Sequence, residues 1–473
     1  MKKYLIVIAL VVAVIAIGAY FFLFGKKDVC KNVIPEDAKA VLVVDAKQAL
    51  KQMDFSISDL FKALKHKKQS DDKVAWGINM LSPMYGFIST DNYVCGVFAL
   101  SDASSFEEKL KGENITVESQ RGFKWANKGE IMLCFDGDKA LAIGPVNKAE
   151  SDALRGKMVE WMKQGSHNVP VLSSLKKNDG VMALRSSLDV FPKQYLGPYL
   201  GNLADAGFRD VYLNATLNVK EKSFLLATEL DSEEESFASY MSDFDKMFHP
   251  IDGDALPSYI EEPMIRVILN VDGEKVLSKL RQNPVSRMVL MGLSLCLDTD
   301  MMIKAIEGDV IIEAVGRSES SPVFVASAKI KNSDFLSNAK DWCTGSSTLG
   351  YICQAFDDKN FVLQNGRDKY FFGVRDDFLY LSSDNGKNLQ FSSPQLKENF
   401  SLVRKQIKGK RLYASLDFEK ILSFFTFSGF STQANKTATS LDHINISATD
   451  LRHIQFELTT RENTTDFIKG LLK

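Results

Sequence analysis

The sequence predicts an α+β protein built by internal tandem duplication, and three observations predict it. First, an apolar run ends in an aspartate at four places: Asp45 (VLVVD), Asp189 (RSSLD), Asp272 (ILNVD) and Asp417 (YASLD). Second, a phenylalanine opens a short amphipathic stretch at Phe106, Phe237, Phe335 and Phe467. Asp45 to Asp272 is 227 residues, Asp189 to Asp417 is 228, Phe106 to Phe335 is 229 and Phe237 to Phe467 is 230. Marks that shift together by nearly one amount mean that roughly 35–247 recurs as 257–473. Third, each copy runs twice through the order strand, helix, strand, strand, helix.

The first pass shows how each element is read. Ala40–Val44 is a continuous valine-rich run, the pattern of a buried strand. AKQALKQM follows with apolar residues at helical spacing, and Asp45 stands at the junction, placed to accept a free backbone N–H. Met84–Ser89 and Tyr93–Leu100 are strand candidates. Ser104 and Ser105 ahead of Glu107 and Glu108 read as a capping box opening the helix FEEKLKG. A further strand at Ile115–Glu118 would complete the split β-α-β arrangement of a ferredoxin-like unit. The same order recurs from VMALRSSLD, from IRVILNVD and from RLYASLD. Each half is therefore expected to hold two ferredoxin-like units joined by a β-hairpin and helix spacer. The hairpins turn at DGD (136–138) and RDD (375–377). Pro250, Pro257 and Pro263 mark a seam, so the expected organisation is 1–30, 31–249, a seam at 250–263, and 264–473.

The amino-terminal segment is of another kind. Tyr4–Phe24 contains no charge between Lys2-Lys3 and Lys26-Lys27. As a helix it would span about 31 Å, enough for a hydrocarbon core of ~30 Å. A cleaved signal has a shorter apolar core. Cys30 follows Lys27-Asp28-Val29, which is no lipobox. The expectation is an uncleaved single-pass anchor with the body outside the cytoplasm, in the periplasm. Met288–Leu297, the longest apolar rival, is too short to span and reads as a core helix or strand.

Composition narrows the chemistry. Charged residues are 25% and the net charge is −2, so the body is foldable and carries no basic stripe for nucleic acid. Lys65–Lys68 (KHKK) reads as an exposed face. Of six cysteines, two pairs are placed to bridge, Cys343 with Cys353 and Cys95 with Cys134; buried free thiols are the alternative for each. No C-x-x-C spacing, H-E-x-x-H, nucleophile elbow or Walker loop is present. His66, His167, His249, His443 and His453 are scattered. DGD, DTD (298–300) and IDGD (251–254) read as turns, because none continues into a calcium loop. Asp45, Asp189, Asp272 and Asp417 read as helix caps rather than a converged site. No cofactor and no metal is expected, and no catalysis.

The start of the body, NVIPEDAKAVLVVDAKQAL, is followed by WGINMLSPMYGF, VCGVFALSDASSFEEKL and GFRDVYLNATL. In this combination and order it resembles a family of exported Bacteroidetes proteins known only as domain of unknown function 4836. The resemblance covers essentially everything after residue 30 and implies a cell-envelope location, while supplying no activity or site residues. The function expected is a non-enzymatic, membrane-tethered envelope protein that binds a protein or envelope-component partner. The alternative is a carrier of lipid or glycan, and a hydrolase would need His443 or His453 joined to a Ser or Asp.

Overall fold

The computed structural model describes residues 30–53, 76–164, 180–191, 210–253, 258–259, 263–294, 297–315, 323–339, 342, 352–366, 368–383, 389–390, 405–424 and 439–472. Among them the strands longer than two residues fall into two sets of ten. The first set is β1 (Ala40–Val44), β2 (Met84–Ile88), β3 (Val94–Leu100), β4 (Val117–Gln120), β5 (Phe123–Lys128), β6 (Ile131–Phe135), β7 (Lys139–Gly144), β8 (Met182–Ser187), β9 (Val211–Val219) and β10 (Ser223–Ser232). The second is β11 (Ile265–Asp272), β12 (Ile306–Val315), β13 (Val323–Ile330), β14 (Ile352–Ala355), β15 (Asn360–Asn365), β16 (Asp368–Arg375), β17 (Phe378–Ser382), β18 (Leu412–Asp417), β19 (Leu441–Ala448) and β20 (His453–Thr460). The helices are α1 (Ala46–Gln52), α2 (Ala103–Gly112), α3 (Ser151–Lys163), α4 (Glu235–Met247), α5 (Gly273–Gln282), α6 (Pro284–Leu293), α7 (Thr299–Ala305), α8 (Phe418–Phe424) and α9 (Thr464–Leu472).

Every pairing within each set is antiparallel. The first set runs in the order β10-β9-β8-β1-β2-β3-β7-β6-β5-β4. The second runs β20-β19-β18-β11-β12-β13-β17-β16-β15-β14, the same order strand for strand.

This pairing corrects the expected fold class. In a ferredoxin-like unit the second strand runs parallel to the first, and the third strand is inserted between them. Here β1 pairs directly with β2, antiparallel, and β3 lies beyond β2; β11, β12 and β13 repeat this. The strand expected to close the first unit, near 115–118, is β4; it leaves in a hairpin with β5 at the far end of the sheet. Each set is one continuous antiparallel sheet carrying helices, not two compact α+β modules. The element order along the chain is common to both arrangements, and only the choice of pairing partner separates them.

Both faces of the first sheet are covered. On one, Met132, Cys134, Leu141 and Ile143 meet Leu154, Met158 and Met162 of α3. On the other, Phe135 and Ala140 meet Phe106 and Leu110 of α2. Strands covered on both faces read as unbroken apolar runs, which is why IMLCF and KALAIG show no alternation. In the second set Phe335 and Trp342 cover Phe361 and Phe372. There the stretch around Phe335 is a short 3-10 turn, Asp334–Asn338, where the first copy has α2. The cap of α2 is Asp102, whose carboxylate accepts the N–H of Ser104 (2.9 Å) and Ser105 (3.2 Å); the expected serine capping box is replaced by this Asx cap.

The compact units are Met1–Ser232 with Glu462–Lys473, and Glu233–Arg461. The halves expected from sequence, 31–249 and 264–473, therefore exchange their last helices. α9 packs in the first unit, where buried Thr464 donates its hydroxyl to the Lys220 carbonyl (2.8 Å) and the Phe467 ring lies 5.9 Å from Phe224. α4 packs in the second, where the Arg411 guanidinium donates to the Asp245 carbonyl (2.6 Å) and Lys279 lies over the Tyr240 ring. The expected seam falls within the second unit. Ile251 is buried with Ile268, Ile311, Ile407 and Tyr413, and its N–H bonds the Lys410 carbonyl at 2.7 Å.

The expected anchor, Tyr4–Phe24, lies outside the described residues. Among the described residues no helix is long and apolar enough to cross a membrane.

Candidate functional site

The segment between β11 and β12 is a run of three short helices, and each start is set locally. Asp272 ends β11 and accepts the Lys275 N–H (3.2 Å), opening α5. Gly273 follows because a Cβ there would stand 1.8 Å from the Ile303 carbonyl oxygen, so α7 crosses against bare backbone. Asn283 stops α5 and opens α6, its side-chain oxygen accepting from Val285 (2.9 Å) and Ser286 (3.2 Å), with Pro284 at the first helical position. Asp298 opens α7 by accepting from Met301 (3.2 Å).

α6 is where the structure departs most from the reading of its sequence. The apolar run beginning at Met288 was expected in a core. Leu290 is buried, but Val285, Met288, Val289 and Met291 are 67%, 70%, 54% and 67% exposed. Val285, Met288, Val289 and Gly292 recur at three- and four-residue steps, so they form one stripe, with Met291 on its flank. A Cβ placed on Gly292 would meet nothing within 4 Å, which puts that side of the helix in open space. Beside the stripe an open cleft of about 230 Å³ is lined by Arg281, Arg287, Leu290, Met291, Ser294 and Asp300. Arg281 pairs with Asp300 across it. Sites that enclose a small molecule occupy roughly 300–1,000 Å³, so this feature fits a surface contact better than an enclosed ligand. Contiguous exposed apolar surface of this kind marks interaction sites, and methionine lets such a surface adapt its shape.

The residues singled out from sequence are spread through the two sheets. Asp45 accepts the Gln48 N–H (2.9 Å) and Asp417 the Lys420 N–H (3.1 Å), so each caps its own helix, as Asp272 does. Burial alone would raise the Asp417 carboxyl. The backbone N–H and ammonium of Lys420, with His443, instead hold it below the usual range. Among the described residues Asp189 caps no helix. It lies within a 3-10 turn, Leu188–Val190, and its carboxylate faces the Lys39 ammonium at 3.8 Å. Cys95 and Cys134 are free and buried. Cys95 pairs with Ile143 and Cys134 with Leu141, so β7 lies between them. Two strand spacings are about 9.6 Å, beyond the reach of a disulfide. Cys353 is disulfide-bonded, and Cys343 lies outside the described residues.

His66 and His167 also lie outside the described residues. His443 has Asp442 at 3.0 Å and Asp417 at 3.7 Å, and the His453 ring has Asp450 at 2.9 Å. Two of these three carboxylates also serve backbone N–H groups, Asp417 at its cap and Asp450 at the turn of Arg452 and His453. Among the described residues no three His, Cys, Asp or Glu side chains stand together to hold a metal ion. DGD is a turn, with Asp136 accepting from Asp138 and Lys139. The backbone of IDGD is held by Asp309, which sequence reading missed. This buried carboxylate accepts from Gly253 (2.6 Å), Asp252 (3.1 Å) and the Asn270 amide (2.8 Å).

The family model described as Domain of unknown function (DUF4836) matches residues 30–458. The chain belongs to the DUF4836 family. The match takes in every strand of both sheets except the last two residues of β20, and stops short of α9. No curated protein matches the chain. Among solved structures, crystal forms I and III of TP0453 are 9% and 10% identical, cover 46% of this chain and 87% and 88% of their own, and have TM-scores of 0.28 and 0.29. Likeness at that level carries no argument about this DUF4836 member.

Proposed function

We propose that the protein is a membrane-tethered, extracytoplasmic binding protein that works without catalysis, and that the outer face of α6 is its docking surface. One observation carries the reading: four large apolar side chains point to solvent from a single capped helix. Leaving such a side chain in water forfeits about 1.5–3 kcal/mol of burial each, and Leu290 already seats the helix. A contact that covers the stripe recovers that energy. The uncharged Tyr4–Phe24 stretch supports the tether.

A photoreactive group at position 288, activated in intact membranes and followed by mass spectrometry, tests the docking surface. We expect a reproducible adduct with a protein, glycan or lipid, absent when the same group replaces the exposed Lys111. Recovery of the unmodified chain alone refutes the reading. The orientation is tested by proteinase K on spheroplasts. The body should be digested down to a small anchor fragment, and a protected body overturns the exported placement.

A further inference from the structure

We infer that α6 docks on the surface of an anionic lipid bilayer, its stripe of Val285, Met288, Val289 and Met291 entering the boundary between headgroups and acyl chains. This rests on the reading of α6 as a docking surface and names its occupant. The chemistry of the helix and its surroundings favours a bilayer over a protein. α6 carries no acidic and no aromatic side chain, and its stripe offers no hydrogen-bonding group beyond the backbone. Protein interfaces of ordinary strength need about 800 Å² on each side and concentrate their energy in Tyr, Trp and Arg anchors. A ten-residue helix is about 15 Å long and presents too little for that alone. A bilayer accepts such a small apolar face, because the side chains need only descend ~5–10 Å into the interface.

Charge points the same way. Residues 273–305 hold five basic side chains against three acidic, in a chain whose net charge is −2. Arg287 lines the cleft beside the stripe, where its long guanidinium side chain reaches headgroup phosphates while the apolar face goes deeper; Arg281 there is held by Asp300. The tether completes the argument. If Tyr4–Phe24 spans the membrane, the second contact becomes intramolecular, so a weak intrinsic affinity suffices.

The test uses the full chain, reconstituted through its own anchor into lipid nanodiscs of phosphatidylcholine alone or with phosphatidylglycerol. Amide hydrogen exchange is read on α6 and, as an internal reference, on α3. We expect α6 amides to exchange at least tenfold more slowly in the anionic discs than in the neutral ones, with α3 unchanged. The doubly substituted Met288→Glu, Met291→Glu chain should lose that protection and keep α3 intact, since both side chains already face water. Arg287→Gln should lose the preference for the anionic disc. Equal α6 exchange in both discs overturns the inference. If that result accompanies a protein adduct from position 288, docking stands and the bilayer is the wrong occupant; if no adduct forms either, both readings fall.

Discussion

The exchange of terminal helices makes a prediction that the sequence order alone would place in the wrong unit. α9 follows β20 directly in the chain, yet its side chains are held by the first unit. Thr464 gives its hydroxyl to Lys220 and its N–H to Glu221, each at 2.8 Å, Thr465 bonds the Met53 carbonyl, and Phe467 packs near Phe224. Phe467→Ala removes an aromatic ring that is only 8% exposed. Deleting a core phenylalanine costs about 3–5 kcal/mol, and a site near a chain end can partly collapse, so about 2–4 kcal/mol is expected. At 1.4 kcal/mol per decade that is roughly a 30- to 700-fold rise in the opening of the affected amides. Hydrogen exchange with peptide mapping locates the loss. It should fall on β9, β10 and α1, leaving β19 and β20 near their original protection. Phe237→Ala is the mirror experiment, because Phe237 is buried in α4 with Arg452 over its ring, and its loss should fall on β11 and α5. Loss concentrated in β19 and β20 after Phe467→Ala would refute the exchange.

Three further outcomes are open to simple measurement. Asp309→Asn turns one accepting oxygen toward N–H groups as a donor, leaving a buried donor unmatched, and should cost about 2–3 kcal/mol with faster exchange at 251–253; a urea midpoint unchanged from the parent would refute the role given to Asp309. The carboxyls of Asp102, Asp272 and Asp417 titrate below their ordinary value: Asp102 through the Ser105 hydroxyl and nearby N–H groups, the other two through lysine contacts that outweigh the effect of burial. Groups depressed in the folded state contribute fully above the unfolded value of about 3.9 and lose that contribution as pH falls through the folded value. The melting temperature should therefore drop below about pH 4, and Asp417→Asn should flatten the drop; an identical acid slope would count against it. Burial pushes the Cys134 thiol up to about 12 and the Cys95 thiol well above its ordinary value, so neither should take up iodoacetamide at pH 8 until the chain is unfolded. Modification of the native protein at either residue would contradict their burial.

What the sequence made legible is what is written locally. A cap is a contact over three residues, so the strand-to-helix junctions at Asp45, Asp272 and Asp417 show in the chain itself. Asp189 looks the same in sequence, but a 3-10 turn follows and the carboxylate turns to Lys39, 150 residues away in the chain. Phe106, Phe237, Phe335 and Phe467 are all buried, in keeping with their place in each repeat. Pairing is nonlocal, and strand order along a chain is shared by many sheets. Nothing in VLVVD tells whether β1 pairs with the next strand along the chain or with the one after it. The same limit hid the helix exchange, since α4 and α9 are amphipathic whichever unit receives them. For α6, hydropathy could report that the run from Met288 is apolar, but not which side of it the protein leaves uncovered.

That last point bears on where function resides. The capping aspartates and buried phenylalanines are demanded by the fold: remove one, and a helix end or a core loses a partner. The stripe on α6 is not. Val285, Met288, Val289 and Met291 could each be polar without opening a cavity, because Leu290 and the cap at Asn283 already fix the helix. Polar substitutes would also remove the exposed apolar surface that invites aggregation. A feature that costs the folded chain something and supports none of its structure has to be explained from outside the chain. The two sheets share one strand order, so the scaffold is common property of both copies, and a surface of this kind is what a scaffold carries for a partner. This is why the decisive measurements are those made on α6 in a membrane rather than on the repeat.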